Sequence, residues 1–335
     1  MARAGSAPRD ESTLTVVVAM AANILIAVAK TVAAVLTGAA AMVAEAAHSW
    51  ADAGNEVFLL VAQRRAARPA DAAHPLGYGR EVYVWSMFAA IGLFAVGAGV
   101  SVTHGVTELV RPQPSQDFVV AYVVLAVAFV LEGVSFLRSA GQARADARRR
   151  RRGLVEQVLV SSDPTVRAVF FEDAAALAGL VVATAGIVLN QVTGSDVPDA
   201  IGSIVVGLLL AWVAYVLVRR NLDFLVGETV DARLHDAALR WLLAMPQVAR
   251  VTALRLEVVG AGQVFVTGAV DLVGDPDETQ ASRELADLET AVRARPGIAG
   301  VVLSLSEPGD AALVPSAPSP APAQTRARDE GAGTA

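Results

Sequence analysis

The residues of this chain with the most chemical potential lie in an otherwise apolar stretch: Glu45, His48, Asp52, Asn55 and Glu56. At about 100° per residue in a helix, these five fall within roughly a third of the circumference and share one face. His48 and Asp52 are four apart, so an imidazole nitrogen and a carboxylate can reach a common point, which is a two-ligand arm for a metal ion. A second acidic pair, Glu172 and Asp173, stands in another apolar stretch beside Ala174, Ala175, Ala176, Ala178 and Gly179, small residues that permit close helix approach. Together the two segments offer three or four ligands that suit zinc, manganese, iron or cobalt better than copper(I). Carboxylates at such depth need a cation, a proton or a basic partner. Lys30 is the only lysine in the chain and the only cation inside the apolar stretches. It reads as a side chain that snorkels outward rather than as a partner for one acid, and it cannot compensate all of them.

The elements that must position these groups follow from composition. Hydrophobic residues make up 54% of the 335, charged residues only 18%, and mean hydropathy is +0.50, a departure from soluble proteins in both directions. Six stretches reach the length of a membrane span: about 14–36, 40–61, 82–108, 117–138, 167–190 and 198–218. The first is too long for a signal-peptide core and follows Asp10 and Glu11 rather than a basic region, so a retained helix is expected. Arginines gather in alternate connections: Arg64, Arg65, Arg68 and Arg80; Arg138, Arg144 and the run 148–152; Arg219 and Arg220. By the positive-inside rule both termini are expected in the cytoplasm, with the protein multi-pass in the inner cell membrane. The arginine run reads as a topogenic and lipid-headgroup anchor, without the interleaved aromatics that nucleic-acid binding would need. The chain has no cysteine, which excludes disulfides, thiolate metal sites and a cysteine nucleophile.

Three segments carry a family resemblance. They are Glu45-Ala-Ala-His48-Ser49-Trp-Ala-Asp52-Ala-Gly-Asn55, the loop His74-Pro75-Leu-Gly77-Tyr-Gly79-Arg80-Glu81, and Pro198-Asp199-Ala200-Ile201-Gly202-Ser203-Ile204. Over about residues 12 to 308 the chain resembles the cation diffusion facilitators, a family of divalent-metal transporters. Asp163-Pro164-Thr165, Glu172-Asp173-Ala174-Ala175, His104-Gly105 and Glu132-Gly133 are similar to the mitochondrial zinc-transporter-like branch and its bacterial relatives. The resemblance implies six membrane helices and a ferredoxin-like cytoplasmic domain, working as a homodimer that exchanges metal, zinc foremost, for protons. It implies a site with two ligands from span two, His48 and Asp52, and two from span five, of which Asp173 is the second. Val169 stands where the first would be, so either Glu172 supplies a fourth oxygen or water completes the shell. Of the loop site found in other members, Asp71 and His74 remain while Tyr78 replaces the second His, and the soluble part keeps only His235. Both auxiliary sites are expected to be lost.

The expected fold is therefore an α-helical membrane protein with six transmembrane helices plus a small α+β ferredoxin-like cytoplasmic domain. Its boundaries are a cytoplasmic tail 1–12, a transport domain 13–220, a dimerisation domain 221–308 and a disordered Ala/Pro-rich tail 309–335. In the third, a helix over 231–245, strands near 251–259 and 263–273 about the turn Gly260-Ala-Gly262, a helix over 278–295 and a strand near 298–305 are expected. Asp271, Asp275, Asp277 and Glu278 lack the spacing of a calcium loop and read as a solvated face. The function expected is metal:proton antiport with no prosthetic group and no nucleic-acid partner. The alternatives are a non-transporting regulatory subunit and a membrane metallohydrolase with Glu45 or Glu56 as base.

Overall fold

The computed structural model describes residues 9–112, 118–150, 152–274 and 276–316, and for 9–19 and 22 the backbone alone. Asp10 and Glu11 as side chains, Arg151 and Asp275 lie outside the described residues, as does 317–335 of the expected tail. The chain divides into two compact units, one chiefly helical, of the residues to Thr229 with 257–265 and 295–300, and one of 230–256, 266–294 and the residues from Val301 on.

The helical unit contains α1 (Arg9–Thr37), α2 (Ala40–Ala66), α3 (Glu81–Gly92), α4 (Gly99–Val110), α5 (Phe118–Arg149), α6 (Leu154–Val160), α7 (Pro164–Thr193) and α8 (Val197–Val226). A π-helical turn, Leu93–Ala98, joins α3 to α4, so Glu81–Val110 is one continuous rod. That rod, α5, α7 and α8 are each long and apolar enough to cross a bilayer. Helices α1 and α2 have spanning length at 29 and 27 residues, about 40 Å at 1.5 Å per residue. The apolarity of α2 is diluted by the polar residues that make it chemically interesting. The unit is thus the six-span bundle, with α1 along α2, α5 along α7 and α7 along α8. Apolar side chains such as Leu25, Val35, Val119, Val130, Val192 and Tyr215 face outward, as hydrocarbon requires.

Small residues set the inner packing. A Cβ on Gly105 of α4 would sit 2.7 Å from the carbonyl oxygen of Ala200, and one on Gly207 of α8 would sit 2.6 Å from Cγ2 of Val102. These two helices therefore meet nearly backbone to backbone. The turn from α1 to α2 needs a left-handed residue, and Gly38 at φ +66° supplies it, its N–H donating to the Ala34 carbonyl at 2.9 Å. Ala39 then has no side chain with which to cap α2. The cap comes from α8: Asp199 Oδ2 accepts from the Ala40 N–H at 2.6 Å and Oδ1 from the Ala41 N–H at 3.2 Å.

Three elements differ from the sequence expectation. Helix α5 runs to Arg149, well past the apolar limit at 138, because a helix need not end where hydrocarbon does. The seven-residue α6 fills the connection to α7, and no apolar periodicity announced it. At the amino end α1 is helical from Arg9, inside the segment expected as tail.

After α8 the chain forms α9 (Ala232–Leu243), β1 (Val248–Gly260), β2 (Gln263–Leu272), α10 (Glu278–Arg293) and β3 (Ile298–Leu305), with sheet order β1-β2-β3. The Val264 N–H donates to Gly297 and the Ser306 N–H to Val270, so β2 and β3 run parallel across the α10 crossover. Asp231 caps α9 and Asp277 caps α10. Leu239, Leu242, Val251, Val270, Leu288 and Val301 are buried in the core. Residues 309–316 form no helix or strand, although the Leu313 N–H donates to the Val251 carbonyl at 2.7 Å.

Candidate metal site

The polar face of α2 points into the bundle, as its periodicity required. Glu45, His48 and Asn55 are 0%, 1% and 2% exposed. His48 Nε2 lies 3.1 Å from Asp52 Oδ2, yet neither ring nitrogen makes a hydrogen bond, and Asp52 Oδ1 is buried without a partner. Buried polar atoms are rarely left so. On α7, Glu172 Oε1 accepts from Asn55 Nδ2, which ties the two helices together, while Asp173 Oδ2 accepts from the Ser135 and Ser139 hydroxyls of α5, each at 3.1 Å. Asp52, Glu172 and Asp173 line one cavity of about 120 Å³, together with Glu56, Glu132 and Val169. His48 stands behind it, one turn from Asp52. Among the described residues no three His, Asp or Glu side chains converge as a finished metal cage. Of the four expected ligands, Glu172 and Asp173 are turned to hydrogen-bond donors within the protein, while His48 and Asp52 face each other.

Lys30 does not snorkel. It is 1% exposed, and its ammonium donates to Glu45 Oε2 at 2.9 Å and to Glu132 Oε1 at 2.7 Å. The outward route available to a lysine on an isolated helix is closed by packing, and two carboxylates meet it instead. Two further acids that the sequence singled out, but not as ligands, lie close by. Glu132 borders the cavity from α5, and Glu56 accepts from Asn23 Nδ2 at 2.7 Å with its second oxygen unpartnered. The signal available for both was their place in apolar stretches, where any acid calls for an explanation.

The expected auxiliary positions are taken up internally. Tyr78 donates to Asp71 Oδ2 at 2.7 Å, and the His74 and Ala73 N–H groups donate to Oδ1 at 2.7 and 3.0 Å. The Tyr78 hydroxyl, first, and these backbone donors hold the Asp71 carboxyl below the usual carboxylate range, and the same contact raises the phenol. His235 Nε2 contacts the Leu254 carbonyl at 3.1 Å. Asp271 pairs with Arg250 at 2.6 Å.

Six long helices thus enclose a small cavity lined by carboxylates of α2, α5 and α7, with the His48–Asp52 pair beside it. Residues 16–226 match the family described as the cation efflux transmembrane domain, and the chain belongs to that family. It is 35% identical over 233 residues to metal tolerance protein C4 of Arabidopsis thaliana, covering 70% of this chain and 51% of that one. It is 32% identical over 259 residues to the human mitochondrial proton-coupled zinc antiporter SLC30A9, covering 77% and 46%. With the metal cation efflux protein CzcD of Cupriavidus metallidurans it shares 25% identity over 268 residues, covering 79% and 77%. The chain spans about half the length of the first two relatives. The family's members are transporters whose metal is cargo rather than a prosthetic group, which sets aside the metallohydrolase alternative.

Proposed function

We propose that the chain exports a divalent cation, zinc foremost, from the cytoplasm in exchange for protons, working as a homodimer in the inner cell membrane with both termini cytoplasmic. His48, Asp52 and Asp173 hold the ion, and Glu172 supplies the fourth ligand. The observation that carries this reading is the joint exposure of Asp52, Glu172 and Asp173, from two helices, to one cavity beside a buried imidazole that makes no hydrogen bond. Imidazole and carboxylates bind a cation only when deprotonated, so one site couples metal to protons by competition. The arginine-rich connections support the orientation. We assign transport to 13–220 and dimerisation to 221–308. The similarity to SLC30A9, a proton-coupled zinc antiporter, supports both zinc and proton coupling.

Purified protein in liposomes with an imposed pH gradient tests the proposal. Zinc flux should follow the gradient, and Asp52→Ala should reduce it at least tenfold. Equal flux in the variant would refute the site.

A further inference from the structure

Lys30, Glu45 and Glu132 come from three helices, α1, α2 and α5, and meet in a place where water is scarce. Glu45 is 0% exposed. Its Oε1 has no partner and is pressed against α7, where a Cβ on Gly179 would come within 2.6 Å of it. Glu132 Oε2 is likewise buried and unpartnered, and Glu132 also borders the cavity that holds Asp52 and Asp173. Two carboxylates around one cation, each with an oxygen to spare, form a donor set for a hard or borderline metal ion, with the ammonium in the ion's position. Glu45 stands one turn before His48 on the same face of α2, so this position adjoins the proposed metal site along the bundle.

We propose that Glu45 and Glu132 form a second cation seat of which the Lys30 ammonium is the tethered occupant, so that one chain holds one divalent ion instead of two. Removing the ammonium leaves two buried carboxylates uncompensated, a condition relieved by taking up a cation from solution. The fixed charge makes Lys30 a determinant of how many ions the protein carries. The inference rests on the transport site only for the first ion of the count.

The test is zinc bound per chain after equilibrium dialysis of the full-length protein, with zinc measured by mass spectrometry. Wild type and Lys30→Arg should hold one ion, Lys30→Met two, His48→Ala none, and the double variant Lys30→Met/His48→Ala one. A double variant that holds none overturns the seat, whatever the single variants do. A wild-type chain that binds no zinc, beside a double variant that binds one, overturns the transport site and leaves the seat standing. Because Lys30→Met could impair folding, the double variant is also melted with zinc and with a chelator. Zinc should raise its midpoint, and an unchanged midpoint counts against the seat.

Discussion

The cap that α8 lends to α2 gives a prediction of stability that needs no assumption about transport. Two backbone donors at the buried start of α2, on Ala40 and Ala41, depend on one carboxylate, Asp199, which is 1% exposed. Removing a capping side chain costs about 0.5–2 kcal/mol. Leaving buried N–H groups without acceptors costs about 1–3 kcal/mol. These overlap, so Asp199→Ala should cost about 3 kcal/mol, while Asp199→Asn, which keeps one oxygen acceptor and loses the charge, should cost about half of that. For a chain of 335 residues the larger figure corresponds to roughly 4 °C in midpoint. The decisive variant is Ala39→Ser, which gives α2 its own cap. It should restore about 1 kcal/mol in the Asp199→Ala background and add little to the parent, a coupling that a double-mutant cycle measures by thermal or denaturant unfolding in detergent. If Ala39→Ser stabilises both backgrounds equally, or if Asp199→Ala melts with the parent, the cap from α8 is not what holds the start of α2.

Three further outcomes follow from the site and its loop. Val169 borders the cavity where relatives' spacing implies a ligand, so Val169→Asp should tighten zinc binding about tenfold or more, read by calorimetric titration. Zinc binding should release protons and weaken as pH falls toward the carboxylate and imidazole range, which calorimetry in buffers of differing ionisation enthalpy detects. In the loop, Asp71 has a lowered folded-state pKa. Its contribution is therefore full above the unfolded value and is lost as pH falls through the folded one. Tyr78→Phe removes the largest cause of that depression, so hydrogen exchange across 71–78 should accelerate at a higher pH than in the parent, still below the ordinary aspartate value of about 3.9.

Much of this molecule is legible in the sequence because periodicity and hydrophobicity are local. The spacing of Glu45, His48, Asp52, Asn55 and Glu56 fixes the inward face of α2, and the alternation after Val248 fixes the hairpin. What sequence cannot carry is the choice of partner between helices. Lys30 reads as a snorkelling residue because its own helix places it among apolar neighbours, and only the approach of α2 and α5 brings two carboxylates to it. Asp199 likewise looks like part of a motif until α8 lies beside the bare amino end of α2. Asp173 shows the same limit: the family resemblance implies a ligand there, whereas the donors it meets are two serines on a neighbouring helix.

The glycine contacts between α4 and α8 also bear on how such a bundle can move. Where Gly105 meets Ala200 and Gly207 meets Val102, any side chain larger than hydrogen would collide, so the close approach of α4 and α8 depends on these two residues. The face between α2 and α7, by contrast, is separated by a cavity and bridged by polar side chains that can change partners. An alanine at Gly105 or Gly207 would therefore be felt by both helices of that seam at once, whereas the cavity leaves side chains room to rearrange between α2 and α7.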